Sequence, residues 1–383
     1  MARALYIHWP FCAKKCPYCD FNSHVRNAVD VKAWQAALIA DMRSEANVAG
    51  GETLTSIFFG GGTPSLMPPT LVEVLLAEAQ NLWGFCEGIE VTLEANPSSV
   101  EATKFAALAS AGVNRVSLGV QSFEDQTLRW LGRLHGGLEA LSALETAQRH
   151  FDRVSFDLIY ALPEQSPAQW RSQLEWALGL GTSHLSFYQL TIEPGTRFAS
   201  DVRRGEFAPL DDDLAADLFE LTQDVARHSG LPAYETSNHA RPGDESRHNL
   251  TYWRYLDYAG IGPGAHGRRG GIATVRHKKP ENYLRHVAEK SHGISEQRIL
   301  VPHEQASEAL LMGLRLSEGV DLDALGERYE RKGSDLINPD KCAQLQTLGL
   351  VRLEGARLIV TDKGRPVLNA LLAELVADRL VQA

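Results

Sequence analysis

Short apolar strands alternate with amphipathic helices over more than half of this chain, and no other feature of the sequence narrows its fold as far. Candidate strands are Ala4 to His8, Ser56 to Phe59, Glu90 to Glu94, Arg115 to Leu118, Val154 to Ile159 and His184 to Gln189. Between them run candidate helices over Val31 to Ala46, Pro69 to Trp83, Val100 to Ala109, Leu138 to His150 and Pro167 to Leu180. A strand whose parallel neighbour can pair only after a helical crossover is the repeating unit of a parallel sheet. Units of this number fall short of the eight of a closed barrel, so the pattern predicts an α/β fold, either a partial barrel or an open doubly wound sheet.

Residues with chemical potential collect where each strand passes into its loop. Cysteines follow the first strand, Gly60-Gly-Gly-Thr-Pro64 the second, Glu94-Ala-Asn-Pro97 the third and Gly119-Val-Gln121 the fourth; Asp157 lies within the fifth, and Tyr188-Gln189 ends the sixth. In parallel α/β architectures that carboxyl edge is where ligands bind. Cys12, Cys16 and Cys19 are the sharpest signal, while Cys86 and Cys342 stand alone in helix-like or helix-adjacent sequence. Thiolates at spacings of four and three on one loop suit an iron-sulfur cube that leaves one iron open to an external ligand. Zinc, recruiting His8 or His24, is the alternative reading.

The length of 383 residues allows about two to three domains. A net charge of −10 excludes a large electrostatic footprint on nucleic acid. The opening residues have too short an apolar run for a signal peptide, and no stretch of about 18 apolar residues occurs, so a cytoplasmic location is expected.

CxxxCxxC after the first strand with Gly-Gly-Thr-Pro after the second resembles the radical S-adenosylmethionine (SAM) superfamily over roughly residues 3–230. Within it the chain is similar to the oxygen-independent coproporphyrinogen III oxidase group. The likeness runs through Tyr6-Ile-His-Trp-Pro-Phe-Cys12, Phe59-Gly-Gly-Gly-Thr-Pro-Ser65, Glu94-Ala-Asn-Pro97, Gly119-Val-Gln-Ser-Phe123 and Asp157-Leu-Ile-Tyr-Ala-Leu-Pro163. The resemblance implies a partial (βα)6-type barrel, a 4Fe-4S cluster on Cys12, Cys16 and Cys19, and SAM. It places the methionine end of SAM against Gly61, Gly62 and Thr63, where a Cβ would obstruct close approach. Glu94 and Gln121 match positions on the nucleoside and Arg133 one facing the cofactor carboxylate. Asp157, buried in an apolar run, needs a partner, and Tyr6, Tyr18 and Gln189 match further adenosine-shell positions.

The stretch Arg241 to Arg269 reads as turn-rich and aromatic, after an acidic helix Asp211 to His228 and a strand Tyr234 to His239. It contains His248-Asn-Leu-Thr-Tyr-Trp253, with Tyr255 and Tyr258 close behind. A histidine among flat aromatic side chains suits a porphyrin, and the string resembles that of the haem chaperone branch of the group. The expectation is a broad exposed aromatic face in which His248 ligates haem, with His266 as the rival ligand. Helices over Glu304 to Leu316 and Leu322 to Arg331, then a hairpin over Leu350 to Val360, predict a small winged-helix-like domain. The division is therefore 1–230 for the barrel, 231–280 for an aromatic and histidine segment that closes the barrel and bears the haem motif, and 281–383 for the C-terminal domain.

The implied function is to bind haem and deliver it to acceptor haemoproteins, with transient membrane-associated partners and a homodimer as further expectations and no nucleic-acid partner. The rivals are a radical decarboxylase of coproporphyrinogen III or a related porphyrin-like substrate, and a zinc-stabilised nucleic-acid-binding protein. Decarboxylation is not expected, because Cys19 is followed by Asp20 and Phe21 where the oxidases carry a fourth cysteine, and the chain reaches Tyr6 with no substantial segment before it to cover substrate.

Overall fold

The computed structural model describes residues 3–26, 28–49 and 53–376. Strands β1 (Ala4–Trp9), β2 (Phe11–Cys12), β3 (His24–Val25), β4 (Leu54–Gly61), β5 (Phe85–Ala95), β6 (Arg115–Gln121), β7 (Arg153–Tyr160) and β8 (His184–Gln189) carry the predicted repeat. They are followed by β9 (Asn238–Ala240), β10 (Tyr258–Ile261), β11 (His266–Arg269), β12 (Ile272–Arg276) and β13 (Ile294–Ile299). Among the described residues, all but β2 and β3 join one 11-stranded open sheet in the order β13-β12-β11-β10-β1-β4-β5-β6-β7-β8-β9.

The run from β10 to β8 is parallel, and β9, β11, β12 and β13 pair antiparallel at its two ends. The predicted strands are all present, and the helices Pro69–Trp83 and Pro167–Leu178 begin where proline at the first turn predicts. Ser166 and Gln169 close a capping box on the second of these.

Four expectations are corrected. The sheet does not stop at residue 280, because β10 pairs parallel with β1 and the strands behind it prolong the same sheet as far as Ile299. The stretch expected to be turn-rich holds the helix Arg247–Trp253 and two of those strands; a helix of 7 residues is too short for a periodic pattern to show. The expected strand from Tyr234 pairs only over Asn238–Ala240, and the helix expected over Val100 to Ala109 divides into Ser99–Ala102 and Phe105–Ser110. Cys86 lies at the start of β5, just after the helix Pro69–Trp83, and Cys342 in the helix Pro339–Thr347, as helix-adjacent and helix-like sequence predicts.

Each parallel strand has two chemically different faces. Leu5, Ile7, Ile57, Phe59, Val91, Leu93, Val116, Leu118, Phe156 and Leu185 point to the covering helices and form one core. The opposite face carries Tyr6, Ser56, Glu90, Thr92, Glu94, Arg115, Ser117, Ser155, Asp157 and Ser186, aligned by the register of neighbouring strands. A parallel sheet packed by helices on both sides would be apolar on both faces. The polar face instead lines the concave interior of a partial barrel.

The C-terminal part has its own core of Leu310, Leu322, Leu336, Leu358 and Leu372, into which Tyr255 reaches from the barrel side. Helices Pro302–Gly313, Leu322–Arg328 and Pro339–Thr347 precede a hairpin of β15 (Val351–Glu354) and β16 (Arg357–Val360), with β14 (Val320–Asp321) pairing on β16, as a winged-helix-like fold requires.

The antiparallel extension is pinned to the helix Val31–Ala49 by fully buried charges. Arg276 reaches Glu45 at 2.5 Å and Asp41 at 3.5 Å, Arg269 reaches Glu45 at 2.5 Å, and Asp41 accepts from Tyr283 and from the backbone N–H of Gly293, both at 2.9 Å. Arg276→Met would take the arginine from beside buried Asp41 and one of two arginines from buried Glu45, and should lower unfolding free energy by about 3–5 kcal/mol. Disrupting the exposed Arg26–Glu281 pair should change it by no more than about 1 kcal/mol. Chemical denaturation of the two variants measures the contrast.

Candidate functional site

A cavity of about 500 Å³ opens at the carboxyl edge of the parallel strands. Its lining brings together Cys12, Cys16, Tyr18, Cys19, Gly61, Gly62, Thr63, Glu94, Gln121, Arg133 and Asp157, eleven of the residues singled out from sequence, from six separate chain segments. Tyr6, Gln189 and His248 lie outside that lining. Tyr6 is one layer below, its hydroxyl 2.9 Å from His8 Nδ1, and Gln189 turns away to donate to the Ala215 carbonyl at 2.7 Å.

The three thiols are all half-buried and unpaired by disulfides. Cys12 receives a long hydrogen bond from Thr63 Oγ1 at 3.5 Å, and Arg133 Nη1 donates to Cys16 Sγ at 3.4 Å. Burial pushes the Cys12 and Cys19 thiols up from their ordinary value. Arg133 is held in a turn by Asn96 Oδ1 at 2.6 Å and the Gly119 carbonyl at 2.7 Å. Its Nε is buried without a hydrogen-bond partner among the described residues, so a cation that lines the cavity keeps one donor unused. Asn96 also donates to Thr63 Oγ1 at 3.2 Å and thereby joins the glycine loop to the arginine. It stands in the Glu94-Ala-Asn-Pro97 motif, and that motif was the signal for it.

The glycine loop is explained differently from the expectation. A Cβ on Gly61 would fall 2.4 Å from the His8 ring, and one on Gly62 would fall 2.7 Å from the Phe11 carbonyl oxygen. Gly61 also has φ +113°, a conformation that disfavours a side chain. Packing of the chain on its own first loop already demands glycine here, before any ligand is considered. Gln121 likewise has φ 69° at the end of β6, a strained backbone for glutamine that tends to persist at functional positions.

Glu94 and Asp157 face each other across the interior. Burial and then the charge of Asp157 push Glu94 up to about 8, against a hydrogen bond from the Gly61 N–H at 3.1 Å; burial pushes Asp157 up to about 6. Tyr188 shares this space: it keeps 41% of its surface accessible, and burial followed by the Asp157 charge raises its phenol.

The aromatic segment corrects another expectation. His248 is 1% exposed, and Tyr255 is buried under the guanidinium of Arg268, 3.3 Å from its ring centre. The helix Arg247–Trp253 closes the amino end of the interior, where Glu90 accepts from the backbone N–H groups of Arg247 at 3.2 Å and His248 at 3.1 Å and from Ser246 Oγ at 3.4 Å. Packing this helix under the strands covers the aromatic face that the sequence suggested would be open. His266 is exposed, on β11.

Residues 6–177 match the Radical SAM superfamily and residues 300–367 the HemN C-terminal domain. Coproporphyrinogen III oxidase HemN from Escherichia coli superposes over 97% of this chain and 89% of its own with TM-score 0.81 at 23% identity, which establishes the shared fold. The fold and the site therefore define a radical SAM protein built like HemN. The chain is 44% identical to heme chaperone HemW of Escherichia coli over 98% of both proteins. It is 38% identical to the mitochondrial radical S-adenosyl methionine domain-containing protein 1 of Bos taurus over 99% of this chain and 88% of that one. The chain belongs to the HemW family of radical SAM proteins. No helix among the described residues is long and apolar enough to cross a membrane.

The raised carboxyls give a pH signature. Both groups bind protons more tightly in the folded chain than in the unfolded one, so their contribution to stability is present below the ordinary carboxylate range and is lost as pH rises through about 6 for Asp157 and about 8 for Glu94. The melting temperature of the cofactor-free protein should fall over that window, and Glu94→Gln should flatten the upper part of the decline. A scan in which E94Q follows the wild-type curve above pH 6 contradicts the burial argument.

Proposed function

We propose that this protein is a haem chaperone that carries a 4Fe-4S cluster and SAM, binds haem, and passes it to acceptor haemoproteins. The observation that carries the reading is the similarity to heme chaperone HemW, which extends over 98% of both chains and so includes the helix Arg247–Trp253 as well as the cluster loop.

Cys12, Cys16 and Cys19 are the thiolate donors for the cluster, set on one loop so that three ligands leave one iron free for SAM. The residues around them fit that cofactor pair. The unpartnered Arg133 Nε suits a carboxylate, the Gly61–Thr63 edge offers backbone close to the thiols, and Glu94, Gln121 and Asp157 offer oxygens to hydroxyl and amino donors further in. When bound, the cluster supplies single electrons to SAM. Tyr18, whose hydroxyl is 3.5 Å from Arg133 Nη1, shapes the adenosine side of the cavity. Tyr6, one layer below, and Gln189, turned away from the cavity, are assigned only a supporting place around the nucleoside. The haem centre is the pair His248 and Tyr252 on the helix that closes the barrel floor.

The competing reading is radical decarboxylation of coproporphyrinogen III, favoured by the HemN-like fold. Against it stands the Cys19-Asp20-Phe21 sequence, which lacks a further thiol beside the third. Two experiments separate these readings. Replacing Cys12, Cys16 or Cys19 by Ala should abolish cluster iron after anaerobic reconstitution while Cys86→Ala retains it; equal loss in C86A refutes the ligand set. The reconstituted protein should transfer bound haem to an apo-haemoprotein and give no protoporphyrinogen IX when incubated anaerobically with coproporphyrinogen III, SAM and a low-potential reductant. Catalytic turnover in that second assay would replace the chaperone reading by the oxidase.

A further inference from the structure

His248 is the expected haem ligand, yet the fold leaves it no free nitrogen. Its Nδ1 lies 3.1 Å from Ser56 Oγ and its Nε2 lies 2.6 Å from the Tyr252 hydroxyl, while Phe58 stacks on the ring at 5.1 Å and 27°. With 1% exposure, the imidazole could meet an iron only by giving up Tyr252 and leaving its slot between the strands. Tyr252 is placed otherwise. It is half-buried and lies edge-on to Tyr258, with ring centres 4.5 Å apart.

Tyr258 opens onto a groove of about 740 Å³ lined also by His266, Arg268, Arg298 and the carboxylates Glu296 and Glu308, a size typical of small-molecule sites, which span about 300–1,000 Å³. The register of β10 to β13 sets these residues on one face: Tyr258 opposite Arg268, and His266 opposite Val275, which in turn faces Glu296. The groove therefore prolongs the concave interior sideways; Tyr252 does not line it and adjoins it through the ring of Tyr258. The Tyr258 ring offers a flat face to a macrocycle, and Arg268, which stacks on Tyr255 and gives one N–H to the Leu256 carbonyl at 3.2 Å, keeps further donors for a carboxylate such as a propionate, whereas Arg298 is paired with Glu304.

We propose that Tyr252 supplies the atom that meets the haem iron, with His248 as the positioning residue that holds and polarises its oxygen. This rests on the haem-binding reading above. In the tautomer required, Ser56 O–H donates to Nδ1 and Nε2–H donates to the Tyr252 oxygen. Burial lowers the imidazole to about 3, so it serves as a neutral donor and not as a base. Burial also raises the Tyr252 phenol well above its ordinary value, so it keeps its proton until iron arrives, and that proton leaves with the iron's own ligand. Ferric haem arriving with a hydroxide ligand exchanges it: the Fe–OH bond and the phenol O–H bond break, an Fe–O bond to Tyr252 forms, and water departs, with the iron ferric throughout. An anionic oxygen ligand of this kind is established chemistry for haem iron, and the N–H of His248 remains in place to stabilise it.

The test is a ferric haem titration of the full, cluster-reconstituted chain, read by visible absorption and by resonance Raman for tyrosinate modes. Tyr252→Phe preserves ring packing, and its cluster iron content reports that the fold is intact. The wild type should show tyrosinate modes, and Y252F should lose them and bind ferric haem at least about tenfold more weakly. His248→Gln keeps an N–H donor and should retain the modes, whereas His248→Ala should weaken them. If Y252F keeps the wild-type spectrum while H248A or His266→Ala abolishes it, the ligand is that histidine and the proposal is overturned with haem binding intact. Failure of the wild type to bind haem would instead overturn the chaperone reading itself.

Discussion

A single buried carboxylate, Glu90, holds the closed end of the barrel together. It receives Arg153 Nη1 at 2.7 Å on the same oxygen that accepts the Arg247 N–H, and the other oxygen takes the His248 N–H. Burial alone would push this carboxyl up, but Arg115, Arg153 and the two backbone donors bring it below its ordinary range, so it is ionised where it sits. A negative charge against the first N–H groups of a helix satisfies donors that have no partner within that helix. The position of His248, and through it that of Tyr252, follows from where this carboxylate lies on β5.

The polar interior exists because the helices cover only the outer face of the strands. Charged and hydroxyl side chains are tolerated there since they pair with one another across neighbouring strands, as Ser155 does with Ser117 at 3.0 Å and Ser186 with Asn238 at 3.0 Å. Where burial outweighs the neighbouring charges and hydrogen bonds the carboxyl rises, as at Glu94 and at Asp157 despite Arg115 and Arg133, while Glu90, with two arginines and two backbone donors, falls. One interior thus has an ionised floor and two carboxyls of raised pKa near its open end, where the cavity with the cysteines begins.

The repeat and its carboxyl edge were legible in the sequence because the outward residues of each strand make short apolar runs and because the edge carries glycines and cysteines at telling spacings. Nine of the cavity-lining residues fall in the motifs along that edge, while Tyr18 and Arg133 could be named only through the family resemblance. What stayed hidden is non-local. That β10 pairs with β1, 254 residues earlier at Ala4 and Tyr258, leaves no local pattern, and a strand of 4 residues is too short to announce itself. The exposure of the aromatic segment was misread for the same reason, since only the packed structure tells that the barrel floor covers it. Glu90 looked like an ordinary strand residue, and nothing near it in sequence pointed to the helix it caps.

The contact between His248 and Tyr252 is, by contrast, a local fact. Residues four apart on a helix lie on one face, so the spacing brings their side chains together once the segment is helical. The rest of the motif serves the other side of the same helix. Leu250 and Trp253 pack with Tyr234, Ala240 and Leu316, and Arg254, just beyond the last turn, pairs with Glu318 at 2.8 Å. Two turns of helix cannot move one face without the other, so the pair that faces the interior and the contacts that receive the C-terminal part are mechanically one unit. Leu316 and Glu318 thus touch the same helix that carries Tyr252, whereas the cysteine loop at the opposite end of the strands is not part of this unit.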